Sequence, residues 1–121
     1  MFFSSSNAVN AFFSQNTFDS SKKYAAIGNA TAKTLLKHTR NIHYIGKGSV
    51  TNASEKFKKM IKSNEVVLFP ISDLSLRNVQ SFLSKNQVKS IVVYKTEPIS
   101  QRIGEHDVYI FSSPSNVSSF F

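Results

Sequence analysis

At 121 residues, with 40% apolar residues and eleven Phe, the chain can build the core of one ordinary domain. Cysteine is absent, which excludes a disulfide framework and a thiolate metal site and favours a cytoplasmic origin; no apolar run approaches the roughly 20 residues that span a bilayer, and the start lacks a signal peptide's long apolar stretch. Fifteen Lys and Arg against seven Asp and Glu give a formal charge of +8, which favours anionic partners, but the basic residues are scattered and accompany no reader helix or stacking aromatics, so nucleic acid is not the expected anion.

Taken in chain order, residues 2–5 read as a strand and 6–15 as a helix. A second strand, 24–28, leaves at Gly28 for a helix over 29–39 that Asn29 or Thr31 can cap. A third strand, 42–45, precedes a helix over 52–62, capped by Thr51 or Asn52 and carrying Phe57, Met60 and Ile61. A fourth strand, 66–70, leads to a helix over 74–84, capped by Ser72 or Asp73; its Leu74, Leu76, Val79, Phe82 and Leu83 fall at helical spacing and are expected in the core. Asn86-Gln87 then turns the chain into the most β-rich run, 88–94. The polar stretch 95–104, broken by Pro98, marks a boundary. Beyond it come a strand over 107–112 and an incipient helix from 115. Short strands that are apolar on both faces, each followed by a helix, imply a parallel sheet covered on both sides. The expected fold class is therefore a doubly wound α/β lobe of the flavodoxin or Rossmann kind.

The chain nearly ends as it begins. Residues 3–13, Phe-Ser-Ser-Ser-Asn-Ala-Val-Asn-Ala-Phe-Phe, return at 111–121 as Phe-Ser-Ser-Pro-Ser-Asn-Val-Ser-Ser-Phe-Phe. A strand end, a hydroxyl-rich turn and a helix start written twice indicate two pseudo-symmetric lobes. On this reading residues 1–96 are one complete lobe, 97–106 an interlobe linker, and 107–121 the opening of a second lobe, so that the chain reads as a piece of a longer protein.

In open α/β sheets, ligands collect outside the carboxyl ends of the strands, where helix amino termini present free N–H groups. Hydroxyl and amide residues stand at those places repeatedly: Ser4 to Asn7, Gly28 to Thr31, Pro70 to Asp73, and Ser112 to Asn116. Taken singly, each is an ordinary helix cap. Together they form a rim able to hold several carboxylates or phosphates without metal. Gly28-Asn29-Ala30-Thr31-Ala32 has one glycine where a dinucleotide fingerprint needs three, and no phosphate-binding Gly-Lys loop occurs. His38, His43 and His106 lack ligand-like spacing, the acidic residues form no pair, and no nucleophile elbow activates a serine. No metal or cofactor is expected. Tyr94, which closes the β-rich run beside the boundary at Lys95-Thr96, is the one residue placed to face an interlobe cleft; periodicity alone makes it an aromatic cap on the sheet.

Taken together, these motifs resemble the uroporphyrinogen-III synthase family. Phe2-Phe3-Ser4-Ser5-Ser6-Asn7-Ala8-Val9 is similar to that family's first F-T-S-x-x-A-V turn, and Ala26-Ile27-Gly28-Asn29-Ala30-Thr31-Ala32 to its V-G-x-x-T-A turn. Val67-Leu68-Phe69-Pro70 resembles the strand that precedes a Gly- or Ser-rich turn, Val92-Val93-Tyr94-Lys95-Thr96 the V-Y-x-T hinge strand, and Phe111-Ser112-Ser113-Pro114-Ser115 the later F-x-S-P-S turn. The order and spacing of these stretches carry the resemblance, since each alone is a weak signal.

The resemblance implies a two-lobed lyase with its active site between the lobes, usually monomeric, that cyclises hydroxymethylbilane to uroporphyrinogen III with loss of water and inversion of the last pyrrole ring. Of that enzyme the chain would supply the inserted lobe and the start of the other, be inactive alone, and have an end able to drive self-association. Residue by residue, the resemblance implies Tyr94 as acid or hydrogen-bond donor to the leaving hydroxyl, and Ser5, Ser6, Asn29, Thr31, Ser72 and Ser113 as groups facing substrate carboxylates. Ile71-Ser72-Asp73 departs from the family's Gly-containing turn; Asp73 would repel a polyanion and reads better as a helix cap. The rival reading is a small flavodoxin-like or receiver-like module that binds an anionic ligand, although the acidic cluster a receiver needs is missing.

Overall fold

Adjacent residues of a strand face opposite sides of a sheet, and the first strand, β1 (Phe2–Phe3), uses this to seed two cores at once. In the computed structural model, which describes residues 1–97 together with Val108 and Ile110, both Phe side chains are fully buried. Phe2 joins Ala25, Phe57, Val67, Phe69, Ile71, Val79 and Leu83. Phe3 joins Ala8, Val9, Phe12, Tyr24, Ala26, Ala32 and Leu35. The pair Ala25 and Ala26 divides in the same way.

Three short parallel strands pair in the order β1, β2 (Ala25–Ala26) and β3 (Tyr44–Ile45). Two longer ones, β4 (Val67–Ser72) and β5 (Val88–Tyr94), form a second parallel ladder. β4 runs beside β1, with the Phe2 and Phe69 ring centroids 5.5 Å apart. The strands therefore succeed one another as β3-β2-β1 and then β4-β5, which reverses direction between β1 and β4 as a doubly wound fold requires. Helices α1 (Ser6–Gln15) and α2 (Asn29–Leu35) cover the Phe3 face, whereas α3 (Val50–Met60) brings Phe57 to the Phe2 face, 4.7 Å from its ring. Both faces are covered, as the apolar strands imply. No helix among the described residues is long and apolar enough to cross a membrane.

Helix α1 occupies the expected span. Ser5 Oγ accepts the Ala8 N–H at 3.1 Å, and Ala8, Val9 and Phe12 line the buried stripe. α3 starts two residues before the expected 52, because Ser49 rather than Thr51 or Asn52 is its cap, with Oγ accepting the Asn52 N–H at 3.1 Å. α2 has Gly28 at its cap position and no side-chain cap: Asn29 is already helical and Thr31 is buried in the helix. It ends at Leu35, before the expected 39. Gly46, at the exit of β3, is buried where an added Cβ would meet the Ile27 carbonyl and lie 2.7 Å from the Ala53 Cβ.

The helix expected over 74–84 does not form. Its place is taken by a loop followed by two 3-10 turns, Gln80–Phe82 and Lys85–Gln87. Ser72, expected to cap it, instead ends β4, and Asp73 is used elsewhere: its N–H donates to the Tyr94 carbonyl at 3.3 Å, and its Oδ1 accepts the Thr96 N–H at 2.9 Å. Ser75 Oγ accepts the Arg77 N–H at 3.2 Å, and Arg77 takes a left-handed φ of 52° that no α-helix continues through. Leu74 and Leu76 are consequently exposed, while Val79 and Leu83 still reach the core. Of the strand expected over 107–112, only Val108 and Ile110 are described; neither lies in a strand and both are exposed. The linker beyond Glu97 and the repeat of the opening turn lie outside the described residues.

Candidate functional site at the carboxyl ends of the strands

The ladder between β4 and β5 is regular from Val67 opposite Val88 to Ile71 opposite Val92, and then slips so that Ser72 faces Tyr94. Val93 is the surplus residue, a bulge that turns the strand end. Strict alternation would send Tyr94 to the same face as Val88, which packs with Phe2. Because of the slip, Val93 and Tyr94 both pack on the Phe3 side. The phenol consequently arrives over the start of α1, with its oxygen 3.4 Å from Ser5 Oγ. The sheet irregularity, rather than a loop, aims this side chain.

Around that pair, the residues singled out in the sequence separate into groups. Ser6, the first residue of α1, reaches across to the β2–α2 turn, where its Oγ donates to the Ala30 carbonyl at 3.4 Å. Asn29 is exposed at the first position of α2. Ser72 is half-buried at the end of β4, beside Tyr94 in the ladder. Ser5, Ser6, Asn29, Ser72 and Tyr94 thus all stand at the same end of the strands. Thr31 is buried, 5% exposed, and packs within the helix. Ser113 lies outside the described residues. The carboxylate of Asp73, bound to the Thr96 N–H, ties the end of β4 to the exit of β5 instead of capping a helix.

Over the opposite face of the same strand ends lies a second recess of about 230 Å³, lined by Ser4, Ile27, Val50, Arg77 and neighbours. Arg77 escaped the sequence reading because it was hidden inside the expected helix. The one local signal was Ser75 two residues before it, a spacing at which a hydroxyl can turn the backbone. A larger cavity of about 440 Å³ opens at the amino ends of the strands, lined by Lys22, Lys23, His43 and Phe57 among others. None of Ser5, Ser6, Asn29, Thr31, Ser72 and Tyr94 lines it.

The histidines of the described region have structural partners. His38 stacks on Phe13 with ring centroids 4.5 Å apart and planes 5° from parallel, and His43 Nδ1 accepts the Tyr24 N–H at 3.3 Å. Among the described residues, no three His, Asp or Glu side chains gather closely enough to hold a metal ion. What the rim offers is hydroxyl groups, one phenol and helix amino termini, a set suited to binding anions and lending a proton or hydrogen bond rather than to nucleophilic attack.

No curated protein and no solved structure matches the chain. The family model of uroporphyrinogen-III synthase HemD matches residues 1–121, over the whole of the sequence. With a doubly wound lobe, a hydroxyl-rich rim and a match of that extent, the chain belongs to the uroporphyrinogen-III synthase HemD family.

Proposed function

We propose that this chain serves the cyclisation of hydroxymethylbilane to uroporphyrinogen III, with Tyr94 donating to the departing hydroxyl. The observation that carries the reading is the family match across all of residues 1–121. The meeting of Tyr94 and Ser5 at the strand ends supports the assignment of roles.

In this reaction a C–O bond breaks at the hydroxymethyl carbon and the oxygen leaves as water, taking up one proton. The electron-rich pyrrole stabilises the resulting cation, and the substituted carbon of the last ring attacks it. The bond from that carbon to its original bridging methylene then breaks, and the methylene cation so released is attacked by the free α carbon of the same ring, which gives up its proton, so that the ring ends inverted in the closed macrocycle. Little covalent help is required of the protein. Its contribution is to hold the flexible chain so that the correct carbon attacks, a positioning effect, together with a hydrogen bond at the leaving oxygen. Ser5 keeps the phenol over the start of α1, while Ser6, Asn29 and Ser72 face the carboxylates of the substrate, joined by Ser113 from the repeated turn. The strand ends of residues 1–96 form one wall of the cleft. A net charge of +8 draws an octacarboxylate towards it.

The test is to add hydroxymethylbilane to the native protein that carries this sequence, oxidise the products and separate the porphyrin isomers. Excess isomer III over the spontaneous background supports the reading, and isomer I alone at every protein concentration refutes it.

A further inference from the structure

The Ser5–Tyr94 pair accounts for only one face of the strand ends. On the other, Arg77 borders the recess of about 230 Å³ with Ser4 and Val50, the first residue of α3. We infer that this recess is a second carboxylate subsite in which the Arg77 guanidinium is the binding group; the inference rests on the reading of the chain as a synthase acting on a polycarboxylate.

Three observations support it. Arg77 is exposed and pairs with no acid among the described residues, where the single salt bridge joins Lys23 to Glu65 at 3.6 Å. The nearest acid in sequence, Asp73, is engaged with the Thr96 N–H at 2.9 Å. A guanidinium with no carboxylate partner among the described residues, at the mouth of a recess, suits a bidentate carboxylate of a ligand.

The backbone is also held in a costly form at this residue. Arg77 has a φ of 52°, a conformation disfavoured for a residue with a Cβ, and the Ser75 hydroxyl fixes it by accepting the Arg77 N–H at 3.2 Å. Glycine or asparagine would occupy this position with less strain, so the arginine is placed there for its side chain rather than for the turn. Finally, alternation along the start of the chain puts Ser4 on the same side as Phe2 while Ser5 caps α1. One short segment therefore presents one hydroxyl to each face, and a ligand lying across the strand ends would meet Tyr94 on one side and Arg77 on the other.

The experiment measures binding of uroporphyrin I, a stable octacarboxylate, to the 121-residue chain by fluorescence, at low and high salt. Arg77→Asn, which tolerates the left-handed backbone, is expected to weaken binding about tenfold or more and to flatten its salt dependence. Arg77→Lys should recover part of the loss, and the control Lys85→Gln should bind like the parent. Circular dichroism of each variant verifies that the fold is kept. Equal binding by the parent and Arg77→Asn overturns the subsite while leaving the synthase reading intact. Failure of the parent to bind the porphyrin overturns it as well. Arg77-dependent binding by the chain, when the native protein that carries this sequence forms no isomer III, supports the subsite and refutes the synthase reading.

Discussion

Removing the Tyr94 hydroxyl by Tyr94→Phe separates a catalytic from a structural role, because the structure gives the two very different magnitudes. The phenol oxygen lies 3.4 Å from Ser5 Oγ, beyond the usual range for a hydroxyl pair, at a half-buried position. Its net contribution to folding should stay below about 0.5 kcal/mol. If the same hydroxyl donates to the leaving oxygen in the transition state, its loss should slow isomer III formation about 100-fold, equivalent to about 2.7 kcal/mol of barrier. Ser5→Ala behaves in the opposite manner: the Ala8 N–H loses its acceptor, costing about 1 kcal/mol of stability. Urea unfolding of the two single variants and the double variant gives the stability terms, which should add to within about 0.5 kcal/mol. Initial rates of isomer III formation should show a lower kcat for Tyr94→Phe at nearly constant KM. A Tyr94→Phe protein with parental turnover would remove the phenol from the chemistry. One that loses about 2 kcal/mol of stability would make Tyr94 a packing residue whose effect on rate is indirect.

Gly46→Ala should lose about 2–3 kcal/mol in urea unfolding, since the new methyl meets the Ile27 carbonyl and the Ala53 Cβ, both held by the sheet and α3. Gly28→Ser, by contrast, enters open space at the cap position of α2 with an ordinary extended backbone, and the added hydroxyl should raise stability by about 0.5 kcal/mol. Arg77→Gly should relieve the left-handed strain and raise the melting temperature by about 2–4 °C, while weakening polycarboxylate binding. Burial holds the Tyr44 phenol above its ordinary pKa of 10.0, and its hydroxyl donates to the Ala53 carbonyl at 2.6 Å. Above pH 10 the unfolded chain gives up this proton first, so the contribution of Tyr44 is complete below pH 10 and falls as pH rises through the folded value. Absorbance of phenolate in the native protein should show a late-titrating phase, and Tyr44→Phe should remove it.

The sequence revealed most where a single local rule governed the outcome. The span of α1 followed from its cap and apolar stripe, and the two-sided sheet from paired apolar residues such as Phe2 and Phe3. The segment after β4 was misread because Val79 and Leu83 carry a true helical spacing, whereas the decisive bonds join residues distant in sequence: Asp73 with Tyr94 and Thr96. No periodicity contains that information. The rim residues after β1 and β2 could be read because helix starts follow strands directly there. Which face Tyr94 takes could not, because the surplus residue in β5 is defined only against its partner strand. Arg77 was missed for a related reason: a left-handed arginine has no composition signature.

That surplus residue makes the phenol's location a matter of counting along a ladder instead of the shape of a loop. Turns at the top of the molecule could lengthen or shorten without displacing the hydroxyl. One residue gained or lost between Val88 and Val93, however, would swing it across to the guanidinium's side of the sheet, leaving the serine at the head of α1 with no companion.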